Sequence, residues 1–210
     1  MAEPERFLPT RQSLLSRLKN WDDHDSWRDF FEMYWRLIYD VARKAGLQDA
    51  EAQDVVQETI VAVAGQMQDF RYDPTRGRFK GWLCQITRRR IADQLRKRYR
   101  GTSGQQDATG SPTIISQEAL EELPDPSTKP MDEIWEQQWQ QHLSALALAR
   151  IKKKVRPEHF QIFDLYVLQG WTVTKVAKAL GVSIALIYVT RHRVGALVKK
   201  ELKRLQAEEI

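Results

Sequence analysis

The stretch WTVTKVAKALGVSIALIYVTRHRVGAL, Trp171 to Leu197, decides how the chain reads. Val173, Val176 and Leu180 recur at helical spacing and predict a short helix over Val173 to Leu180. Gly181 supplies the positive φ that a tight turn requires, and Ser183 stands where it can cap a second helix. Val176, Leu180, Val182, Ile187 and Val194 take the inward positions, and Ala177 is small where two helices must cross closely. This is the pattern of a helix-turn-helix, whose second helix enters the major groove of duplex DNA. The candidate contacts to bases or phosphates are Ser183, Ile184, Ala185, Tyr188, Val189, His192 and Arg193. The bland alternative is a plain three-helix bundle.

Charge sorts the rest of the chain. Residues 1–70 carry 8 Lys/Arg against 13 Asp/Glu, whereas residues 71–100 carry 11 against 2. Residues 105–141 swing back to 1 against 8, and residues 150–210 return to 13 against 5. Two basic blocks separated by an acidic one suit two contacts with one polyanion, because cations displace condensed counterions from nucleic acid. The alternative is that these are solvated helix faces.

Pro and Gly gather at a few places between long apolar-periodic stretches, so the chain reads as all-α. A short segment from Ser13 to Leu18 precedes a turn over Asn20 to Asp25. Ser26 then caps a helix with Phe30, Phe31, Tyr34, Leu37, Ile38, Val41 and Ala45 inward, ended by Gly46. The next helix, Asp49 to Met67, buries Ala52, Val55, Val56, Ile60 and Val63 and turns an acidic stripe outward. Phe70 to Gly77 is a loop, and Phe79 opens a basic helix to about Tyr99 through Trp82, Leu83, Ile86, Ile91 and Leu95. Gly101 to Pro130, rich in Gly, Ser, Thr and Pro, reads as a linker with one short helical candidate at Glu118 to Leu123. Helices over Met131 to Lys154 and Pro157 to Gly170 complete the second module. The expectation is two small helical domains, residues 1–100 and 131–210, joined by a flexible acidic linker over 101–130.

Opening a duplex costs a few kcal/mol per unstacked step, so a protein without an energy source must hold the single strand better than the double one. That needs a basic track and an aromatic surface for stacking. Arg71, Arg76, Arg78, Lys80, Arg88, Arg89, Arg90, Arg96, Lys97 and Arg98 supply the track. Phe70, Tyr72 and the Asp73 to Gly77 loop are candidates for a base pocket, with Phe79 and Trp82 read as core packing behind it.

Together these modules resemble a bacterial RNA polymerase sigma factor of the extracytoplasmic-function type, over about three quarters of the chain. DAEAQDVVQET (Asp49 to Thr59) is similar to the family's stretch that grips the beta-prime clamp helices of the polymerase core. The resemblance therefore implies that Asp49, Glu51, Asp54, Gln57 and Glu58 bind polymerase. FRYDPTRGRFKGWLCQITRRRIADQLRKR (Phe70 to Arg98) resembles the part that opens and reads the minus-ten element as single-stranded DNA. It implies DNA contacts at Phe70, Tyr72, Arg76, Arg78, Lys80, Arg88, Arg89, Arg90 and Arg96. The helix-turn-helix resembles the module that reads the minus-thirty-five element as duplex. Arg89 stands where family members usually carry Asn, and Tyr188 and Val189 where polar or basic residues are common. An anti-sigma factor is a further partner that the resemblance admits.

Other classes are set aside. Cys84 is the single cysteine and lies far from any His cluster, so neither a disulfide nor a metal site is expected, and no cofactor. No nucleophile arrangement or glycine-rich phosphate loop appears, so the chain is not expected to be an enzyme. No apolar run approaches the roughly 20 residues of a membrane span, and the start MAEPERFLPTRQ lacks a secretory signal, so the expected location is cytoplasmic. Trp21, Trp27, Trp35, Trp135 and Trp139 are expected to be buried. Two rivals stay open: a stand-alone helix-turn-helix regulator that binds duplex operator DNA, and an adaptor that binds proteins through its acidic helix.

Overall fold

The computed structural model describes residues 11–68, 79–102 and 129–207, and among these the protein is all-α. Helices α1 (Arg11–Arg17), α2 (His24–Lys44), α3 (Asp49–Met67), α4 (Phe79–Thr102) and α5 (Lys129–Lys154) are followed by α6 (Pro157–Phe163), α7 (Val173–Leu180) and α8 (Ile184–Ala207). The chain forms two compact units that divide at Gln140, inside α5.

In the first unit α2 packs on α3 and α3 on α4. The cap of α2 is Asp23 and not Ser26 as the spacing predicted. The Asp23 carboxylate accepts the Ser26 backbone N–H at 3.0 Å and its hydroxyl at 2.6 Å. Ser26 is therefore already helical and fully buried, where its hydroxyl needs a partner. These hydrogen bonds, side chain first and backbone second, hold the Asp23 carboxyl below its ordinary pKa. At the other end Gly46, at φ +90°, closes α2 in a conformation that a side chain would strain.

The core is aromatic at its centre. Phe30, Tyr34, Phe79 and Trp139 are at most 1% exposed. Tyr34 lies 4.9 Å from Phe30, 5.4 Å from Phe79 and stacks on Trp139 at 6.5 Å, ring centre to ring centre. Phe79 is thus core, as read from its spacing, and so are Trp135 and Trp139. Three other aromatics are not. Phe31, Trp35 and Trp21 are 43%, 38% and 48% exposed, and Phe31 stacks with Trp35 on the outside of α2. Three- and four-residue spacing marks a stripe, but residues at its edge face solvent when no neighbouring helix reaches them.

The second unit is built on smaller clusters. Ile151, Phe163 and Val194 form one, and Ile162, Val176 and Ile187 the other, the latter flanked by Leu180, Val182 and Ala177. Arg150 and Glu201, both buried, pair at 2.9 Å between α5 and α8. The helix predicted to run unbroken from Pro157 to Gly170 instead widens into a π-helical turn over Asp164–Leu168. The Gln169 N–H reaches back to the Asp164 carbonyl at 2.9 Å, and Gly170, at φ +68°, ends the segment. Among the described residues no single helix is long and apolar enough to cross a membrane.

Candidate nucleic-acid interface

The helix-turn-helix geometry follows from three local devices. Thr172 caps α7 by accepting the Lys175 N–H at 3.3 Å, and Gly181 turns the chain at φ +65°, ψ 29°. Ser183 then starts α8 by accepting the Leu186 N–H at 3.2 Å. The chain bends 106° between α7 and α8, within the usual range for this motif. Ile187, Thr190 and Val194 point into the unit, so Ala185, Tyr188, Val189 and His192 fall on the opposite face. Ser183, Ile184 and Arg193 are exposed as well. The structure thus brings the candidate contacts of this module to one accessible tip.

Aromatic rings hold the cations beside that tip. The Lys175 ammonium lies 3.8 Å from the Trp171 ring centre, and the Arg191 guanidinium 5.7 Å from that of Tyr166. Tyr166 in turn meets Tyr188 edge-on at 6.1 Å. The sequence reading passed over Lys175 and Arg191 as site residues. The four-residue step from Trp171 to Lys175 was a visible signal, whereas the Tyr166–Arg191 contact had no spacing to betray it.

The basic block on α4 is less uniform than its sequence. Arg89 is exposed. Lys80 and Arg88 are engaged by the acidic start of α5: the Lys80 ammonium sits 2.6 Å from the Glu136 carboxylate, and Arg88 pairs with Asp132. Lys80 and the neighbouring Gln140 hold the Glu136 carboxyl below its ordinary pKa. Arg90 and Arg96 share Asp93 at 3.4 Å and 3.2 Å. Cys84 is buried beneath this surface, and burial pushes its thiol up. Phe70, Tyr72, Arg76 and Arg78 lie outside the described residues.

The acidic stripe of α3 divides in the same way. Asp54 and Gln57 are exposed. Asp49 accepts from Tyr39 and, at 2.7 Å, from Gln53. Glu51 accepts the Gln48 N–H at 2.6 Å and the Arg98 Nε at 2.7 Å, while Arg98 also donates to the Gly46 carbonyl. The Arg98 guanidinium holds the Glu51 carboxyl below its usual pKa. Glu58 accepts from Lys97 at 2.9 Å and from Gln94 at 3.2 Å, and this bond raises the Lys97 pKa. Part of the stripe that reads as outward therefore ties α3 to α4. The partners are 47 residues apart for Arg98–Glu51 and 39 for Lys97–Glu58, beyond any helical spacing.

Residues 30–101, which span α2 to α4, match the family model of sigma-70 region 2. Over these residues, about a third of the chain, it is similar to sigma-70 region 2. A solved structure, described as CnrH in complex with the cytosolic domain of CnrY, aligns over 93% of this chain and 99% of its own, at 18% identity. Its TM-score of 0.36 makes that likeness too loose to bear on fold or function. No curated protein matches the chain. The region 2 match therefore spans both the acidic stripe of α3 and the basic face of α4.

Proposed function

We propose that this protein is a sigma factor of the extracytoplasmic-function type, directing RNA polymerase core to specific promoters and assisting strand opening. The reading rests on region 2 and a helix-turn-helix standing in one chain, in that order. Asp54 and Gln57, exposed on α3, would lead the contact with the beta-prime clamp helices, joined by Asp49 and by Glu51 and Glu58 at the edge of their internal pairs. The second unit, in the role of region 4, would hold the minus-thirty-five element as duplex through α8. The first would trap the melted minus-ten strand with α4 and with Phe70, Tyr72, Arg76 and Arg78. Arg89, exposed on α4, would meet backbone phosphate rather than a base edge. An anti-sigma factor is a further partner under this reading.

The test is run-off transcription with bacterial core polymerase on a promoter library. Wild type should direct initiation from a defined sequence. Asp54→Arg should lower it about tenfold or more through loss of core binding. Arg89→Asn should leave core binding intact and weaken capture of the minus-ten strand across sequences alike. A wild-type chain that binds a duplex operator tightly without polymerase, and directs no initiation, would overturn the reading in favour of a stand-alone regulator.

A further inference from the structure

The exposed tip of α8 is apolar, unlike most surfaces that meet DNA. Ile184, Leu186, Tyr188 and Val189 are 46%, 37%, 48% and 50% exposed, and Ala185 lies among them. From Ile184 to Val189 no side chain can make the paired hydrogen bonds that distinguish guanine or adenine, since these need Arg, Lys, Asn or Gln. In a helix-turn-helix the N-terminal turns of the second helix meet the base edges. One base presents an apolar group in the major groove: thymine, through its C5-methyl. The cations stand off to the side, with Lys175 and Arg191 held against Trp171 and Tyr166, where they suit phosphates. Tyr188 is steadied by its edge-on contact with Tyr166.

We infer that α8 reads its duplex element by packing Ile184, Ala185, Tyr188 and Val189 on thymine methyl groups, so that the element is thymine-rich at the contacted positions. This deepens the proposed function and rests on α8 being the DNA-recognition helix. Charge complementarity favours duplex DNA over a protein as occupant, since residues 150–210 hold 13 Lys/Arg against 5 Asp/Glu.

The experiment uses the full chain assembled with core polymerase and a duplex library randomised across the upstream element. Enriched elements should carry thymine at two or more contacted positions. Replacing one such thymine by deoxyuracil removes the methyl and leaves every hydrogen-bonding group in place. Binding should fall about fourfold per contacted base, the value of one buried methyl. In Val189→Ser the thymine-to-uracil preference should vanish at one position while persisting at the others. Lys175→Gln should weaken all sequences alike and leave that preference unchanged.

A specific element that is indifferent to uracil at every position overturns this inference and leaves the sigma reading standing. So does a tip whose Ile184→Arg and Val189→Asp changes leave upstream selection intact but abolish binding of another protein, which would make the patch a protein interface. If wild type neither initiates nor enriches any element, the proposed function falls and takes this inference with it. The uracil comparison is made on the wild-type chain, so misfolding of a variant cannot mimic it.

Discussion

The two units hold their candidate DNA-binding helices by opposite means. Helix α4 sits on a large aromatic centre of Phe30, Tyr34, Phe79 and Trp139, and its charged side chains are largely taken up by nearby carboxylates. Helix α8 rests on two small apolar clusters and one buried ion pair, and its tip is left apolar and bare. Cations offered as a surface attract any phosphate backbone, whereas apolar groups fixed at a helix tip respond to the identity of a base. Under the proposed function the first unit would grip through the cations its carboxylates leave exposed, and the second would discriminate.

Removing the aromatic centre should break this contrast most strongly. Trp139→Ala deletes a fully buried indole and should destabilise the first unit by about 4 kcal/mol, the usual range for such a change. Hydrogen exchange should show faster opening of α2 and α4, with protection of α7 and α8 kept. Equal loss of protection at α7 would show that the two units unfold together.

The corresponding change in the second unit is Glu201→Ala, which leaves Arg150 buried without its carboxylate. Stability should fall by about 3 kcal/mol, most of it the cost of an uncompensated charge. Burial opposes ionisation of Glu201, but the Arg150 hydrogen bond and the charges of Arg204, Lys154 and Arg150 outweigh it, so the carboxyl titrates below its ordinary 4.5. A depressed folded pKa means that the pair contributes fully above pH 4.5 and loses its contribution as pH falls through the lowered value. Wild type should therefore lose stability in that acid window and Glu201→Ala should lose less, as circular dichroism melts across pH 3 to 6 would read.

Much of this architecture is legible in the sequence because helices announce themselves locally. The bounds of α3 and α7 follow from apolar spacing, and Gly46, Gly170 and Gly181 all take the positive φ that their punctuating role implies. The candidate tip of α8 follows from the same periodicity. What stayed hidden depends on partners distant in sequence. Nothing near Glu51 tells that Arg98 will occupy it, and nothing near Arg150 points to Glu201. Phe31 and Trp35 look like core until the neighbours of α2 are known. The π-helical turn at Asp164–Leu168 is a choice of i→i+5 over i→i+4 bonding, which residue spacing does not encode.

A smaller change sharpens the role of the turn. Gly181→Ala meets no heavy atom within 4 Å, so its cost is confined to forcing a side chain into φ +65°. That should be about 1 to 2 kcal/mol on the second unit. A thermal melt showing no shift would mean that the turn relaxes to another conformation, and the 106° bend, with the presentation of Tyr188 and Val189, should then relax with it.

The smallest expected effect on stability is the most informative about α4. Glu136→Gln removes a pair in which Glu136 is more than half exposed, so the first unit should lose less than about 1 kcal/mol. Its consequence for binding should be larger than that figure suggests. Lys80, relieved of a carboxylate at 2.6 Å and left with the Trp139 ring at 5.6 Å, becomes available to phosphate on the face proposed to take the melted strand. Each cation newly placed on a single strand steepens the dependence of log affinity on log salt by about 0.7. Single-stranded binding by Glu136→Gln should therefore be tighter at low salt, with a steeper salt slope than wild type. An unchanged slope would mean that Lys80 points away from the strand, and the gripping surface would then centre on Arg89 and its neighbours.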